Sequence, residues 1–392
     1  MDRPVTSVAG PAAADQALSG ITVVCLAALG PVPYAAMLLG DLGATILRVD
    51  RPDHRGGVTG LLLEDDPRTR GHRGLGIDLR QLEGRELFDR LVDDADVFLE
   101  GMRPGATERL GIGPDVLLAR APRLVYGRAT GWGQQGPRAQ RAGHDINYAG
   151  LSGGLYPVGP ADRPPYPPLN MLADFGGGGT FLALGVLAAL LQRTVTGSGQ
   201  VVDAAMVDGV ASLTTMMQGM RAAGLWSDRR GDNLLDGSAP FYRTYETADG
   251  GYMAVGALEP QFYRDFLDGV GLEIDDWPQH DRDRWPMLEA ELERVFASRS
   301  RSAWQELFDA RDACVTPVLS LAEAAESPEL RERDTFVMWG GIAQPAPAPR
   351  LSASRPVDLP RSGWCSNTDE ILGGLGLSDE RIADLRGRRV IA

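Results

Sequence analysis

The sequence contains no lysine, because all 39 of its basic residues are arginine. This absence excludes a Schiff-base lysine, and with it ordinary pyridoxal-phosphate chemistry, as well as the lysine of a P-loop. Any phosphate group must therefore be bound by arginine or by backbone amides. The net charge of −14 also argues against a nucleic-acid partner or an anionic membrane.

Cysteine is also scarce, and Cys25, Cys314 and Cys365 show neither C-x-x-C spacing nor matching histidines. They predict no disulfide framework and no zinc site, so a reducing cytoplasm is the expected compartment. No uninterrupted hydrophobic run reaches the ~20 residues that span a bilayer. Residues 1–18 carry no signal-peptide pattern. We therefore expect a cytoplasmic protein without membrane insertion.

The residues that are present favour an α/β enzyme of two domains, which the length of 392 residues allows. Residues 21–26, 34–42 and 43–49 predict a strand, a helix and a second strand. Such a βαβ unit implies a parallel sheet with right-handed crossovers. Later strands are predicted at 97–99 and 124–127.

A shift in composition near residue 224, toward Asp, Arg, Asn and Gly, marks a boundary between domains. We predict a flexible extension over residues 1–18 and a large domain over residues 19–223. A smaller domain is predicted over residues 224–330, and a final segment over residues 331–392.

Two short segments carry the candidate catalytic residues. Gly143-His144-Asp145 places an imidazole beside a carboxylate, and Asp174 precedes a run of glycines and an apolar helix predicted from Phe181. An imidazole and a carboxylate are the groups that a two-base proton transfer requires. The alternatives are that Asp174 is only a helix N-cap and that His144 is a structural residue, which are common uses of such residues.

A serine hydrolase is a second interpretation, because residues 150–154 match the nucleophile-elbow pattern G-x-S-x-G around Ser152. That pattern needs a strand before it, a helix after it, and an acid and a histidine downstream. The later His280 lies in a charged run that is typical of solvated surface.

Arginines near the ends of predicted strands are the candidates for binding phosphate, since ligands of α/β sheets bind at the carboxyl ends of the strands. These are Arg51, Arg103 and Arg109. Downstream, Met206, Met217 and Met220 recur at helical spacing, which is typical of core packing but also suits contact with an apolar ligand. Glu259 either initiates a helix or belongs to a site.

These motifs together resemble the class III CoA-transferase superfamily and, within it, the α-methylacyl-CoA racemases. The resemblance extends from residue 19 to the end of the chain and rests on blocks in the same order as in that family. Two of them are Glu100-Gly101-Met102-Arg103-Pro104-Gly105 and Gly143-His144-Asp145-Ile146-Asn147-Tyr148. The others are residues 40–44 with 48–52, 131–137, 174–178, 199–206 and 256–263.

The resemblance implies His144 and Asp174 as two opposed bases, with Glu259 supporting His144 by a hydrogen bond. It implies Asp145 as a further catalytic residue, and a backbone amide near Asp145 would receive the thioester oxygen. It also implies a set of residues that contact CoA, namely Arg51, Arg73, Glu100, Gly101, Arg103, Arg109, Ile146 and Tyr148. The acyl chain is expected on a methionine surface formed by Met206, Met216, Met217 and Met220.

The fold that the resemblance implies is a Rossmann-like parallel sheet in the large domain, a smaller α+β domain, and a C-terminal segment that returns to the large domain. Two chains would interlock as a homodimer. CoA enters as part of an acyl-CoA substrate, so no metal, flavin or nicotinamide cofactor is expected. A CoA-transferase that uses Asp174 as an acyl-anhydride nucleophile and a non-catalytic acyl-CoA-binding protein are the alternatives.

One stretch departs from the family pattern. Family members commonly carry an Asn-Arg pair before the Asp-Leu that here is Asp78-Leu79, whereas this chain has Gly71-His72-Arg73. Binding of the nucleotide end of CoA is therefore expected to differ from that in the family, with Arg73 in place of the arginine of the Asn-Arg pair.

Overall fold

The computed structural model describes residues 16–53, 66–354, 360 and 363–392. Most of the extension predicted over 1–18 lies outside the described residues, as do residues 54–65 and parts of the proline-rich C-terminal segment.

The chain divides into two compact units. The larger comprises the described residues up to Gly153 together with Pro168–Leu213 and Val337–Ala392, and the smaller comprises Gly154–Pro167 and Thr214–Phe336. This division differs from the predicted bounds in assigning residues 154–167, 214–223 and 331–336 to the smaller unit. The rest of the final segment, residues 337–392, belongs to the larger unit.

A sheet of six parallel strands lies at the centre of the larger unit, in the order β3-β2-β1-β4-β5-β6. The strands, in chain order, are β1 Thr22–Leu26, β2 Thr45–Asp50, β3 His72–Gly76, β4 Val97–Glu100, β5 Val125–Thr130 and β6 Val201–Ala205. This is the strand order of a Rossmann-like sheet, so the predicted fold class is confirmed.

Helices cover both faces of this sheet. They are α1 Pro31–Asp41, α2 Leu82–Asp93, α3 Ala106–Arg109, α4 Pro114–Arg120, α5 Asp145–Leu151, α6 Phe181–Thr196, α7 Met206–Leu213, and the C-terminal α14 Thr368–Gly374 and α15 Asp379–Gly387. Helices α1 and α6 pack on one face through residues such as Leu39, Leu182 and Val186. Helices α2, α14 and α15 pack on the other through Phe88, Ile371 and Leu385.

Strand β3 was not predicted from the sequence, because it carries two glycines and no hydrophobic alternation. Its position depends instead on the C-terminal segment. A β-carbon on Gly74 would stand 3.1 Å from the backbone nitrogen of Cys365. The N–H of Gly76 donates to the hydroxyl of Thr368 at 3.2 Å.

A ten-residue π-helix, Met171–Thr180, precedes α6 and continues into it. The glycines of this π-helix allow two neighbouring helices to approach its backbone. A β-carbon on Gly179 would stand 2.9 Å from the carbonyl oxygen of Pro31 in α1, and one on Gly177 would stand 2.8 Å from the backbone nitrogen of Val210 in α7. The glycine run is therefore a packing requirement of the segment that carries Asp174.

The continuous helix Met171–Thr196 has 26 residues and is long and apolar enough, by length and composition, to cross a membrane. Leu182, Val186 and Leu190 on this helix pack in the core of the larger unit. This packing is that of a core helix in a globular α/β fold.

The smaller unit contains an antiparallel sheet, β7 Tyr242–Glu246, β8 Tyr252–Gly256 and β9 Val315–Val318. Its helices are α8 Thr215–Ala222, α9 Pro260–Val270, α10 Trp285–Phe296, α11 Arg301–Asp309, α12 Leu321–Glu326 and α13 Pro328–Glu332. The core is aromatic, with Tyr245 stacked on Phe296 at 4.9 Å between ring centroids. A separate pair of short strands is β10 Phe336–Trp339 and β11 Ile342–Pro345.

Candidate active site

The sheet of the larger unit has its topological switch point between β1 and β4, where the strand order reverses direction. A crevice at the carboxyl ends of the strands is expected at such a point. The chain that leaves β4 meets the chain that leaves β1 here, because a β-carbon on Gly101 would stand 2.9 Å from Val32 and 3.5 Å from Ala28.

Asp174 lies at this end of β1. A β-carbon on Gly30, the N-cap of α1, would stand 3.2 Å from the carboxyl carbon of Asp174 and within 3.3 Å of both carboxyl oxygens. Gly30 has a φ of 67°, a value that glycine adopts most readily. The side chain at position 174 therefore faces the N-terminus of α1, in contact with a residue that has no side chain.

Asp145 holds the backbone on which Asp174 is carried. Its Oδ2 accepts hydrogen bonds from the backbone N–H groups of Ala173 at 2.7 Å and of Asp174 at 2.8 Å. These donors lie in the first turn of the π-helix, where N–H groups have no partner within the helix. Asp145 is itself the first residue of α5, so its carboxylate joins α5 to the π-helix.

His144 is the N-cap of α5 and is exposed. Its backbone N–H donates to the side-chain oxygen of Asn147 at 3.0 Å, and its carbonyl accepts the N–H of Asn147 at 2.8 Å. The His144 side chain lies close enough for its charge to act on the carboxyl group of Asp174. The structure thus brings His144, Asp145 and Asp174 together, although residue 174 is remote from the other two in sequence.

Tyr148 supports the segment that carries His144. Its hydroxyl donates to the carbonyl oxygen of Gly143, and its ring meets Trp132 edge-on at 4.7 Å between centroids. A β-carbon on Gly131 would stand 2.1 Å from this ring, so only glycine fits there. The Tyr148 side chain is buried. Tyr148 therefore packs inside the fold and supports Gly143, and its contact with CoA stays a prediction.

Burial raises the pKa of the Asp174 carboxyl above its ordinary value, and the negative charge of Asp145 raises this pKa further. Asn170, which donates to Asp174 at 3.5 Å, and the charges of His144 and Arg68 act in the opposite direction. A carboxyl group whose pKa lies closer to neutrality is better suited to exchange a proton at neutral pH.

The arginines predicted to bind CoA fall into two groups. Arg103 and Arg109 are exposed and have no ion-pair partner in the part of the chain that the structure describes. Arg103 also lies near Tyr148, since its charge acts on the pKa of that phenol. By contrast, Arg51 is paired with Asp53 at 3.0 Å, and Arg73 with Glu370 at 2.9 Å.

Glu100 is fully buried, and both of its carboxylate oxygens are used within the fold. One accepts from Arg128 at 2.7 Å and the other from the N–H of Met102 at 2.6 Å. The side chain therefore fixes the turn after β4, where the backbone of Gly101 is exposed. Ile146, the residue after Asp145, is exposed as well.

The expected methionine surface is divided in the structure. Met206 is buried, and a β-carbon on Gly178 would stand 2.9 Å from its side chain, so it packs against the π-helix. Met216, Met217 and Met220 lie on α8 in the smaller unit. One continuous helix was expected through these residues, but α7 ends at Leu213 and α8 begins at Thr215. Glu259, also in the smaller unit, is the exposed N-cap of α9.

The nucleophile-elbow interpretation of Ser152 is wrong. Ser152 follows the helix α5 rather than a strand, and its hydroxyl donates to the carbonyl oxygen of Tyr148 at 2.7 Å. Such a hydroxyl caps the end of a helix and is not presented as a nucleophile.

Gly30 and Arg68 belong to this crevice but were not singled out from the sequence. A glycine-proline pair before the predicted helix is the single sequence indication for Gly30. Arg68 follows Asp66-Pro67 and forms an ion pair with Asp66 at 2.6 Å. Among the described residues, no group of three or more His, Cys, Asp or Glu side chains is placed to hold a metal ion.

A carboxylate and an imidazole at the switch point of a Rossmann-like sheet define a candidate acid–base site. Residues 18–360 match the model of CoA-transferase family III. The chain belongs to this family.

Known relatives span nearly the whole chain. It is 44% identical over 379 residues to the α-methylacyl-CoA racemase of Homo sapiens, covering 96% of this chain and 97% of that protein. It is 29% identical to the succinyl-CoA–L-malate CoA-transferase β subunit of Chloroflexus aurantiacus, with 95% and 98% covered. A CaiB/BaiF family protein from Brucella suis has a similar crystal structure, with a TM-score of 0.79 at 26% identity, covering 92% of this chain and 100% of that one.

Proposed function

We propose that this chain is a racemase that interconverts (R)- and (S)-2-methylacyl-CoA thioesters by removing and returning the α-proton. The observation that carries the proposal is that Asp145, the residue after His144, accepts the backbone N–H of Asp174 at 2.8 Å, in a chain 44% identical to an α-methylacyl-CoA racemase. No resident cofactor takes part, because CoA belongs to the substrate.

The α-proton of a thioester is weakly acidic, so its removal needs a base and donors that stabilise the enolate oxygen. A positioned general base contributes about 10²–10⁴-fold to the rate. Each donor aimed at the oxyanion contributes about 10²–10³-fold. In the proposed mechanism, one of His144 and Asp174 removes the proton from one face of the carbon, and the other, protonated, returns a proton to the opposite face. The roles exchange when the reaction runs in reverse, and a backbone amide near Asp145 receives the enolate oxygen.

The remaining site residues complete the proposal. Arg103 and Arg109 bind the phosphates of CoA, since both are exposed and unpaired among the described residues. Met216, Met217 and Met220 contact the acyl chain, with the packed Met206 behind the π-helix. In a homodimer, which we propose as the working form in the cytoplasm, Glu259 supports the imidazole of His144.

A CoA-transferase is the second candidate function. It is favoured by the similarity to the Chloroflexus transferase subunit and by the raised pKa of Asp174, which would then serve as a nucleophile. The greater similarity to a racemase and the imidazole beside Asp174 favour proton transfer.

Incubation in heavy water separates the candidates. A racemase introduces deuterium at C2 of 2-methylacyl-CoA while optical purity is lost. Absence of both changes contradicts the proposal. A transferase instead moves CoA to a free acid and is inactivated by hydroxylamine in the presence of substrate. Ser152→Ala is the matched control, because its hydroxyl only caps a helix and its removal should leave the exchange rate unchanged.

A further inference from the structure

The carboxylate of Asp145 has contacts that the proposed proton transfer does not explain. Its side chain is only 5% exposed, and Oδ2 accepts the two N–H groups of Ala173 and Asp174. The other oxygen, Oδ1, is buried and accepts no hydrogen bond among the described residues. A buried carboxylate with an unpaired oxygen is costly, so this position invites a functional explanation.

The unpaired backbone N–H groups in the first turn of a helix can be accepted by a side chain that carries no charge. A neutral serine or asparagine serves as well as aspartate at such positions. What only an aspartate supplies here is a negative charge beside Asp174. This charge is the largest electrostatic influence on the Asp174 carboxyl after burial itself.

The helix end that Asp174 faces, at the N-terminus of α1, has fewer backbone N–H donors than usual. The N-terminus of a helix normally donates N–H groups to a nearby carboxylate and stabilises its charged form. Helix α1, which begins beside Asp174, has proline at positions 31 and 33, and proline has no N–H. The first turn of α1 therefore has two fewer N–H groups than usual where Gly30 meets Asp174.

We propose that Asp145 is a positioning residue: its carboxylate fixes the first turn of the π-helix and places a negative charge beside the Asp174 carboxyl, which favours the protonated form of that group. The catalytic consequence rests on the proposed racemase function, whereas the effect on Asp174 does not. The other groups that face Asp174 are His144 and Tyr148, Arg68 from the turn Pro67–Thr69, and the amide of Asn170.

The test is Asp145→Asn, which keeps an oxygen that accepts both N–H groups, removes the charge and places an NH2 group where Oδ1 lies. The titration midpoint of Asp174 can be followed by carbon-13 NMR of labelled aspartate carboxyls, with Asp174→Asn identifying the resonance. We expect the midpoint to fall in Asp145→Asn, because the neighbouring negative charge is removed. The acid limb of the kcat/KM profile should move by the same amount, with kcat about 10-fold lower because the base is weaker. KM should be unchanged, and any fall in melting temperature reports the buried NH2 group rather than the lost charge.

Asp115→Asn is the matched control, since Asp115 is an exposed acid in the first turn of α4 and should alter neither profile. Asp145→Ala removes the acceptor as well as the charge, and should lower kcat further. An unchanged Asp174 midpoint in Asp145→Asn overturns the proposal, as does a loss of activity with no shift of the acid limb.

Two further outcomes are decided by the wild-type protein. If it exchanges no deuterium into substrate, the racemase proposal fails, but the NMR titration still decides the role of Asp145. If Asp145→Asn does not fold, the wild-type curve still tests the proposal, because an Asp174 midpoint within or below the ordinary range of aspartate contradicts it.

Discussion

Gly30 lies directly against the carboxyl group of Asp174, so that a β-carbon at residue 30 would stand 3.2 Å from the carboxyl carbon. The first turn of α1 thus forms one wall of the acid–base site. The glycine also has a φ of 67°, so two separate constraints exclude other residues at this position.

Gly30→Ala should therefore displace the Asp174 carboxyl and lower kcat/KM about 100-fold, the loss that follows a misplacement of about 1 Å. The measurement is the rate of deuterium incorporation at C2 of 2-methylacyl-CoA. Gly197→Ala is the matched control for backbone strain, because Gly197 has a φ of 76° and no atom within 4 Å of the added carbon. If both variants lose activity equally, contact with Asp174 is not the cause.

Removing one base at a time tests the two-base mechanism. His144→Ala and Asp174→Ala should each lower the rate of racemisation by about 10²–10⁴-fold. Each variant should still exchange the α-proton of one enantiomer, namely the one whose proton faces the remaining base, without inversion. Proton NMR of each enantiomer in heavy water measures this. If both variants exchange the same enantiomer, or both enantiomers equally, the assignment of opposed bases is contradicted.

His144 and Asp174 could be singled out from the sequence because their chemistry is visible in their neighbours: an adjacent acid in one case, a glycine run before an apolar helix in the other. The role of Asp145 could not be predicted, because no spacing rule links residue 145 to the backbone of residues 173 and 174. Such contacts depend on how α5 and the π-helix pack.

The same limit applies to the sheet. The strands rich in β-branched and apolar residues were predicted within a few residues, whereas β3 and β6 were not. Strand β3 is stabilised by the distant segment around Cys365 and Thr368. Strand β6 runs directly into α7, so the sequence pattern of its residues resembles the start of a helix. For this reason the predicted methionine surface extended across the boundary between the two units.

Two glycines form the tightest contact behind the site. A β-carbon on Gly209 in α7 would stand 1.8 Å from the carbonyl oxygen of Gly177 in the π-helix. Gly209→Ala should therefore separate these helices and destabilise the protein by about 3 kcal/mol or more, at the upper end of the cost of overpacking. Chemical denaturation measures this loss, and residual activity should fall with it because Asp174 lies on the same π-helix.

Gly219→Ala in α8 is the control, since no atom lies within 4 Å of its added carbon. A glycine-to-alanine change in an open helix position should stabilise by up to about 1 kcal/mol. Equal stability of the two variants would show that the contact between Gly209 and Gly177 does not exclude a side chain at residue 209.

His72 gives the protein a predictable sensitivity to acid. Its side chain is 1% exposed, and neither ring nitrogen has a hydrogen-bond partner among the described residues. Burial, with the nearby charges of Arg48 and Arg70, lowers the pKa of His72 to about 3. In the unfolded chain, histidine titrates near pH ~6.5.

Between these two values, the unfolded chain binds a proton that the folded protein does not. Each fall of one pH unit from pH ~6.5 toward pH ~3 therefore costs about 1.4 kcal/mol of stability, and this contribution is absent above the unfolded value. His72→Leu should reduce the slope of unfolding free energy against pH by this amount between pH 6 and pH 4. Because the ring nitrogens are unpaired, stability at pH 7 should change by less than about 1.5 kcal/mol. Denaturant titrations at several pH values measure the slope, with the exposed His280→Gln expected to match the wild type. A His72→Leu slope equal to that of the wild type would mean that His72 binds a proton as readily in the folded protein as in the unfolded chain, which contradicts the prediction.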